Sequence, residues 1–253
     1  MSEYNSVERP FLDKLSQLGW DVIDRGTGFT PYDPSISRRE SFREYILENE
    51  FRASLKRINL TEDGRSWLSY KQINAVVSEL TMHPGMDLLK ANQAVYELLT
   101  RNTTVDQNLL TGKYNPTVRL IDFTHPERNI FIAINQFKIE TPGDSRQAII
   151  PDIVLFINSL PIVVVECKDI DVAQPLSEAF IQLNHYANLR VDDYGIKEGE
   201  ERFFHCNLFN IITYDNEARF STITGEFDHY LHWKDIFPEE YKTVQVSPDK
   251  ERQ

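Results

Sequence analysis

Two acids and a lysine interrupt otherwise apolar stretches in the middle of the chain. Asp152 opens Pro151-Asp152-Ile153-Val154-Leu155-Phe156-Ile157, and Glu166 and Lys168 close Val163-Val164-Val165-Glu166-Cys167-Lys168. A carboxylate inside a buried strand is costly unless it is paired or bound to a cation. Side chains alternate along a strand, so Glu166 and Lys168 share one face and Cys167 takes the other. If the two stretches pair as a hairpin, a turn at Asn158-Ser159 brings Asp152 near Glu166. Two carboxylates on one face make a set of hard oxygen ligands suited to Mg²⁺ or Mn²⁺. A lysine one pleat away could orient or deprotonate an attacking water, or stabilise charge on a pentacovalent phosphorus. An acid and a lysine two apart also occur at ordinary solvated strand ends, so these letters alone leave both readings open.

The elements that must position these residues are legible as a change of texture along the chain. The first hundred residues read as helical. Phe11, Leu15 and Leu18 fall at helical spacing, with Gly19 placed to end that helix. Leu47, Phe51, Leu55 and Ile58 mark an amphipathic helix, with Ser41, Arg43, Glu44, Glu48 and Arg52 on its wet side. Tyr70 to Leu80 and Met86 to Thr100 follow as helices, and the stretch with Gly26, Gly28, Pro31 and Pro34 reads as loop. Strands are expected over Thr117–Phe123, Asn129–Glu140, Ala148–Ile157, Leu160–Lys168 and Leu208–Tyr214, with a turn at Pro142-Gly143-Asp144. A helix is expected over Leu176–Leu189, and the tail after Pro238 is polar. Near-continuous apolar strands imply a sheet covered on both faces. The expected fold class is α/β, a central mixed sheet flanked by helices, with a helical N-terminal region.

Composition narrows the class. The 253 residues are 41% hydrophobic, 26% charged and 11% aromatic, which excludes wholesale disorder. The apolar runs are strand-sized, far short of the roughly 20 residues that cross a membrane. The N-terminus, Met1-Ser2-Glu3-Tyr4-Asn5, has neither the basic cap nor the apolar run of a secretory signal, and two cysteines make no disulfide framework, so a reducing cytoplasm is expected. The net charge of -12 argues against a stand-alone nucleic-acid binder, though not against an enzyme that meets DNA through metal ions or other subunits.

The arrangement of Asp152, Glu166 and Lys168 resembles the PD-(D/E)xK phosphodiesterase superfamily. The whole phrase PDIVLFINSLPIVVVECKD is similar to the nuclease segment of the type I restriction endonuclease R subunit family, HsdR. Further pieces agree in order: Glu8-Arg9-Pro10-Phe11-Leu12 with Leu18-Gly19-Trp20; Asn129-Ile130-Phe131 and Asn135-Gln136-Phe137; Gln182-Leu183-Asn184-His185-Tyr186, which fits a Q-x-x-x-Y motif; then Phe209-Asn210, Thr224-Gly225 and Trp233-Lys234.

The resemblance implies that Asp152 and Glu166 bind Mg (Mn as substitute), with the backbone carbonyl of Cys167 as a third ligand and Glu8 projecting from the first helix toward the metal. It implies that Lys168 acts on the water, and that Gln182 and Tyr186, four apart on one helix face, hold DNA or order the metal site. Glu8 could equally be a first-turn acid favoured by the helix dipole. It further implies an endonuclease domain over residues 1–240, with a helical insertion at about 38–101 and a catalytic core at about 115–235, and a polar tail or linker over 241–253. The implied partners are double-stranded DNA and the methyltransferase and specificity subunits of a restriction-modification complex.

Other candidates carry less. His185 reads as a surface or packing residue, His205-Cys206 lacks the other half of a zinc pattern, and Cys167 reads as core. Thr111-Gly112-Lys113 has no glycine at phosphate-loop spacing before it. With no ATP site in the chain, the motor of such R subunits would lie outside it. The chain is expected to be the nuclease portion of a longer subunit, the other possibility being a naturally short relative. A RecB-like exonuclease or resolvase of the same superfamily, and a non-catalytic docking module on the same fold, are the competing readings. The acidic balance generates one expectation of its own. The chain alone should bind bare duplex DNA only weakly at physiological salt, and nanomolar affinity in a fluorescence-anisotropy titration would contradict it.

Overall fold

The computed structural model describes residues 3–26, 30–142, 147–190, 197–215 and 217–233. The expectations at Gly28, Gly143, Asp144, Lys234 and in the tail lie outside the described residues. Its centre is a mixed sheet of seven strands: β1 (Asp21–Ile23), β2 (Phe131–Asn135), β3 (Ile153–Ile157), β4 (Leu160–Lys168), β5 (Phe209–Tyr214), β6 (Glu217–Ser221) and β7 (Leu231–His232). Spatial order follows chain order; β1/β2 and β4/β5 are parallel and the other neighbours antiparallel. The five α-helices among the described residues are α1 (Arg9–Gln17), α2 (Glu48–Ile58), α3 (Tyr70–Thr81), α4 (Leu88–Arg101) and α5 (Pro175–Tyr186). No helix among the described residues is long and apolar enough to cross a membrane.

Both faces of the sheet are covered, as the apolar strands require. Ile153, Val163, Val165 and Cys167 pack with Leu12 and Leu15 of α1, Phe51 and Leu55 of α2, Ile73 and Leu80 of α3, and Val95 and Leu99 of α4. On the other face Ile132, Ile134, Val154, Phe156, Val164 and Ile212 pack with Leu176, Ala179 and Leu183 of α5 and with Phe203 and Phe204. The helix boundaries follow local chemistry. Gly19 takes φ 89° just past α1, Ser69 and Gln72 close a capping box at α3, and Asp87 caps α4 through the Lys90 N–H.

The β3–β4 hairpin carries the detail that matters most. Asn158 and Ser159 have φ of 49° and 74°, both left-handed, as a two-residue turn needs. Asn158 fits without being glycine because the rest of the protein holds it. Its amide donates to the Leu120 carbonyl and to Asn129 Oδ1, and its Oδ1 accepts from the Ile130 N–H and from Arg57 of α2. That turn pairs Ile157 with Leu160 and Phe156 with Pro161. Continued without interruption, the register would set Asp152 opposite Val165. Instead it shifts by one between Leu155 and Phe156, Ile162 goes unpaired, and beyond the bulge Ile153 pairs with Val165. Asp152 is thereby set opposite Glu166 and on the same face of the sheet.

Several sequence-based expectations change. Residues 41–47 form turns rather than the start of α2, which begins at Glu48. Of Thr117–Phe123, only Thr117–Val118 is strand, paired with Thr103–Thr104 outside the main sheet. The backbone beyond it is satisfied by side chains. Asn59 accepts from the Arg119 N–H and donates to the Arg119 carbonyl, and Asn129 does the same for Asp122. Asn129–Glu140 is broken at Gln136, and Ala148–Ile157 at Ile150–Asp152; Ile139–Glu140 and Ala148–Ile149 form a separate two-stranded ribbon. The last helix stops at Tyr186, short of Leu189.

The turn makes a test. Asn158→Ala is expected to cost about 3–5 kcal/mol in urea unfolding, since several buried partners lose their hydrogen bonds. Asn158→Gly should cost about 1 kcal/mol less, because glycine takes the left-handed conformation freely.

Candidate metal centre

Asp152 sits at the bend that opens β3, and its burial is nearly complete at 7% exposure. Its Oδ2 accepts the backbone N–H of Cys167 at 2.8 Å. In an extended strand a residue's N–H and C=O point to the same side, so the Cys167 carbonyl also faces Asp152. The Cys167 side chain lies in the apolar core beneath. Glu166 is fully buried. Its Oε1 accepts Lys168 Nζ at 2.8 Å. Among the described residues, none donates a hydrogen bond to its Oε2.

Lys168 is held from the helical side as well. Its Nζ donates to Gln182 Oε1 at 2.9 Å. Gln182 in turn donates through Nε2 to the Tyr186 hydroxyl, which donates to the Ile150 carbonyl at 3.1 Å. Gln182 and Tyr186 share one face of α5, so one hydrogen-bonded chain runs from Glu166 through Lys168 and α5 to the backbone just before Asp152.

The N-terminal segment closes the site from above. Tyr4–Glu8 is a turn of π-helix running into α1. Its wider i→i+5 winding aligns residues five apart, which a regular α-helix would not, and Glu3 and Glu8 are such a pair. Carboxylate oxygens of Glu3, Glu8 and Asp152 lie within 4.8 Å of one another. Glu8 is 2% exposed and accepts from Asn135 Nδ2 at 3.3 Å and from Gln136 Nε2 at 3.3 and 3.4 Å. Glu3 accepts the Asp169 N–H at 3.1 Å.

So many acids so close together cannot all ionise cheaply. Burial and then the Asp152 charge push the Glu8 carboxyl up to about 7. Burial raises Glu166 well above the ordinary carboxylate range, and neighbouring Asp152 raises it further. Asp152 and Glu3 are raised as well, first by burial. Lys168, by contrast, is held in its charged form: burial disfavours the charge, but Glu166 and Asp152 outweigh that and raise its pKa. Tyr186 is pushed well above its usual value by burial and then by the Glu166 and Asp152 charges. The donor set fits a small hard cation: clustered carboxylate oxygens of Glu3, Glu8 and Asp152, a buried Glu166 oxygen outside that cluster with no donor among the described residues, and the Cys167 carbonyl beside Asp152.

The structure thus brings together Asp152, Glu166, Lys168, Gln182, Tyr186, Glu8 and the Cys167 backbone. Sequence reasoning missed Glu3 and the hydrogen-bonding work of Asn135 and Gln136. For Glu3 the only available signal was its five-residue offset from Glu8, which carries meaning only once the π-turn is seen. His185 pairs with Glu198 at 3.2 Å near the surface. His205 and Cys206 are buried, and burial lowers His205 to about 4. Gly112 serves a tight turn, donating to the Asn108 carbonyl.

A mixed sheet with this acid–acid–lysine set at paired strand ends, backed by one helix, has the architecture of a nuclease-like core. The family model described as "Type I restriction enzyme R protein N terminus" matches residues 1–229, and the chain belongs to that family. It is similar to the type I restriction enzyme HindI endonuclease subunit of Haemophilus influenzae, at 27% identity over all of this chain and 22% of the relative. It is also similar to the putative type I restriction enzyme MjaIXP endonuclease subunit of Methanocaldococcus jannaschii, at 26% identity over 93% of this chain and 21% of the relative. The chain therefore spans about a fifth of the length of these relatives.

The Glu8 environment predicts a pH effect with a definite sign. The fold favours protonated Glu8, so its contribution to stability is complete below 4.5 and lost as pH rises through about 7. Glu8→Gln stays neutral and removes that loss. In urea unfolding without metal, the variant should match wild type near pH 4 and exceed it near pH 8. The gap should be at most about 3 kcal/mol, the free-energy equivalent of the full shift from 4.5 to about 7.

Proposed function

We propose that the chain is the metal-dependent endonuclease domain of a type I restriction enzyme R subunit and hydrolyses DNA phosphodiester bonds. The observation that carries this is the register of the hairpin, whose Ile153–Val165 pair sets Asp152 beside Glu166 one step further on, with Lys168 2.8 Å from Glu166 and a Glu166 oxygen left without a donor among the described residues. Family membership and the relatives' descriptions support the same reading.

Asp152, Glu166 and the Cys167 carbonyl would hold Mg²⁺, with Glu8 as a further ligand and Mn²⁺ as a substitute. The bound ion supplies Lewis-acid stabilisation of charge on the phosphoryl group and acidifies water. Lys168 stays protonated at neutral pH, because its pKa is raised by the acids around it. Its contribution is therefore positive charge and a directed N–H toward the scissile phosphate or the attacking water, rather than removal of a proton. Gln182 keeps Lys168 aimed at the site face, and Tyr186 ties α5 to the Asp152 bend.

Double-stranded DNA is the substrate in this reading. Its sequence would be recognised by methyltransferase and specificity subunits and delivered by an ATP-driven motor, since net charge -12 gives the chain little to hold a polyanion. Asp152→Ala and Lys168→Ala should each lower Mg²⁺-dependent cleavage by the assembled enzyme by about 10³-fold or more while leaving ATP hydrolysis intact. Undiminished cleavage in both variants would refute the assignment.

A further inference from the structure

Gln136 follows the last residue of β2 and breaks the strand there. Its φ is 50°, in the left-handed region that a long, non-glycine side chain occupies only when its surroundings hold it. They do so from several directions. Its N–H donates to the Asp152 carbonyl at 2.8 Å, and the next N–H, of Phe137, donates to the Pro151 carbonyl at 3.1 Å. The Phe137 ring is fully buried, 5.1 Å from Phe156 and 6.1 Å from Phe203 between ring centres, with the Arg39 guanidinium 3.6 Å above it.

Leaving the strand at this point turns the Gln136 side chain over the acidic site. Its Nε2 lies 3.3 and 3.4 Å from the two Glu8 oxygens and 3.4 Å from Asp152 Oδ1. It therefore bridges a helix residue and a strand residue that have no covalent reason to be adjacent. An amide nitrogen carries two N–H donors and no charge. It can sit between two anions and hydrogen-bond to both without competing, as a lysine would, for the place of a cation.

We propose that Gln136 is a positioning residue, whose side-chain amide sets the spacing of the Glu8 and Asp152 carboxylates and so tunes the site for a small divalent ion. The inference rests on the metal-binding reading above. A bare strand terminator would behave differently, because glycine ends a strand at this φ at least as well as glutamine does.

That difference is the test. Mn²⁺ and Ca²⁺ are titrated calorimetrically into the wild-type chain, Gln136→Gly and Gln136→Asn, and metal-free thermal unfolding is followed in parallel. In Gln136→Gly, relief of the left-handed backbone offsets the lost amide hydrogen bonds, so the unfolding midpoint should stay near the wild-type value, yet Mn²⁺ should bind about 10- to 100-fold more weakly, the usual cost of losing a partner that orients a metal ligand. Ca²⁺, which tolerates looser geometry, should lose several-fold less. Gln136→Asn keeps an amide and accepts the left-handed backbone, and should fall between the two. Mn²⁺ binding by Gln136→Gly within about twofold of wild type overturns the positioning role. So does an equal loss of Mn²⁺ and Ca²⁺ affinity that tracks a fall in stability. A wild-type chain that binds neither ion removes the metal reading itself, and this proposal with it.

Discussion

One unpaired residue sets the geometry on which the site depends. An uninterrupted two-residue hairpin from Asn158-Ser159 would leave Asp152 facing Val165, with the two acids on opposite faces of the sheet. The bulge at Ile162 adds the offset that puts Asp152 and Glu166 side by side. Ile162 and its neighbour Val163 both pack into the apolar face under α1–α4, so that layer stabilises the bulge as well as the sheet. The turn is fixed in the same way, by Arg57 of α2 and by Leu120, Asn129 and Ile130, and the Leu47 N–H ahead of α2 donates to the Ser159 carbonyl. The helical N-terminal region therefore acts on the chemistry at a distance, by holding the register of two strands.

The second constraint is charge. Glu3, Glu8 and Asp152 cluster, the Glu166–Lys168 pair interacts with Asp152, and burial makes joint ionisation of the acids costly. The protein offsets the cost locally. The Cys167 N–H and Gln136 serve Asp152, Asn135 and Gln136 serve Glu8, the Asp169 N–H serves Glu3, and Lys168 serves one oxygen of Glu166. Glu166 Oε2 is buried and has no donor among the described residues. A divalent cation held there, as proposed above, would satisfy that oxygen and relieve the mutual repulsion together, and so would couple metal binding to the stability of the strand ends. Gln182 and Tyr186 make the coupling two-sided, linking Lys168 to α5 and α5 to the backbone before Asp152.

Much of this was legible in the sequence, for identifiable reasons. Alternation along Leu160–Lys168 placed Glu166 and Lys168 on one face and Cys167 in the core. The spacing of Gln182 and Tyr186 placed them together on a helix. The covered sheet followed from the apolar strands. What was not legible depends on contacts between distant segments. Thr117–Phe123 has strand character, but Asn59, Asn129 and Asn158 take up its backbone groups and most of it never joins a ladder. The break at Gln136 reflects a tertiary demand on one side chain, which local propensity does not register. The π-turn that sets Glu3 over Glu8, and the bulge itself, are one-residue departures from regular geometry that hydrophobic periodicity is too coarse to detect.

Anomalous diffraction at the manganese edge, from crystals of the chain soaked in Mn²⁺, tests most directly whether the paired strand ends hold a metal. If Asp152 and Glu166 hold the metal, a peak appears within about 2.5 Å of carboxylate oxygens from both. Manganese bound only at acids elsewhere on the surface, with the Asp152–Glu166 pair unliganded, would contradict that placement.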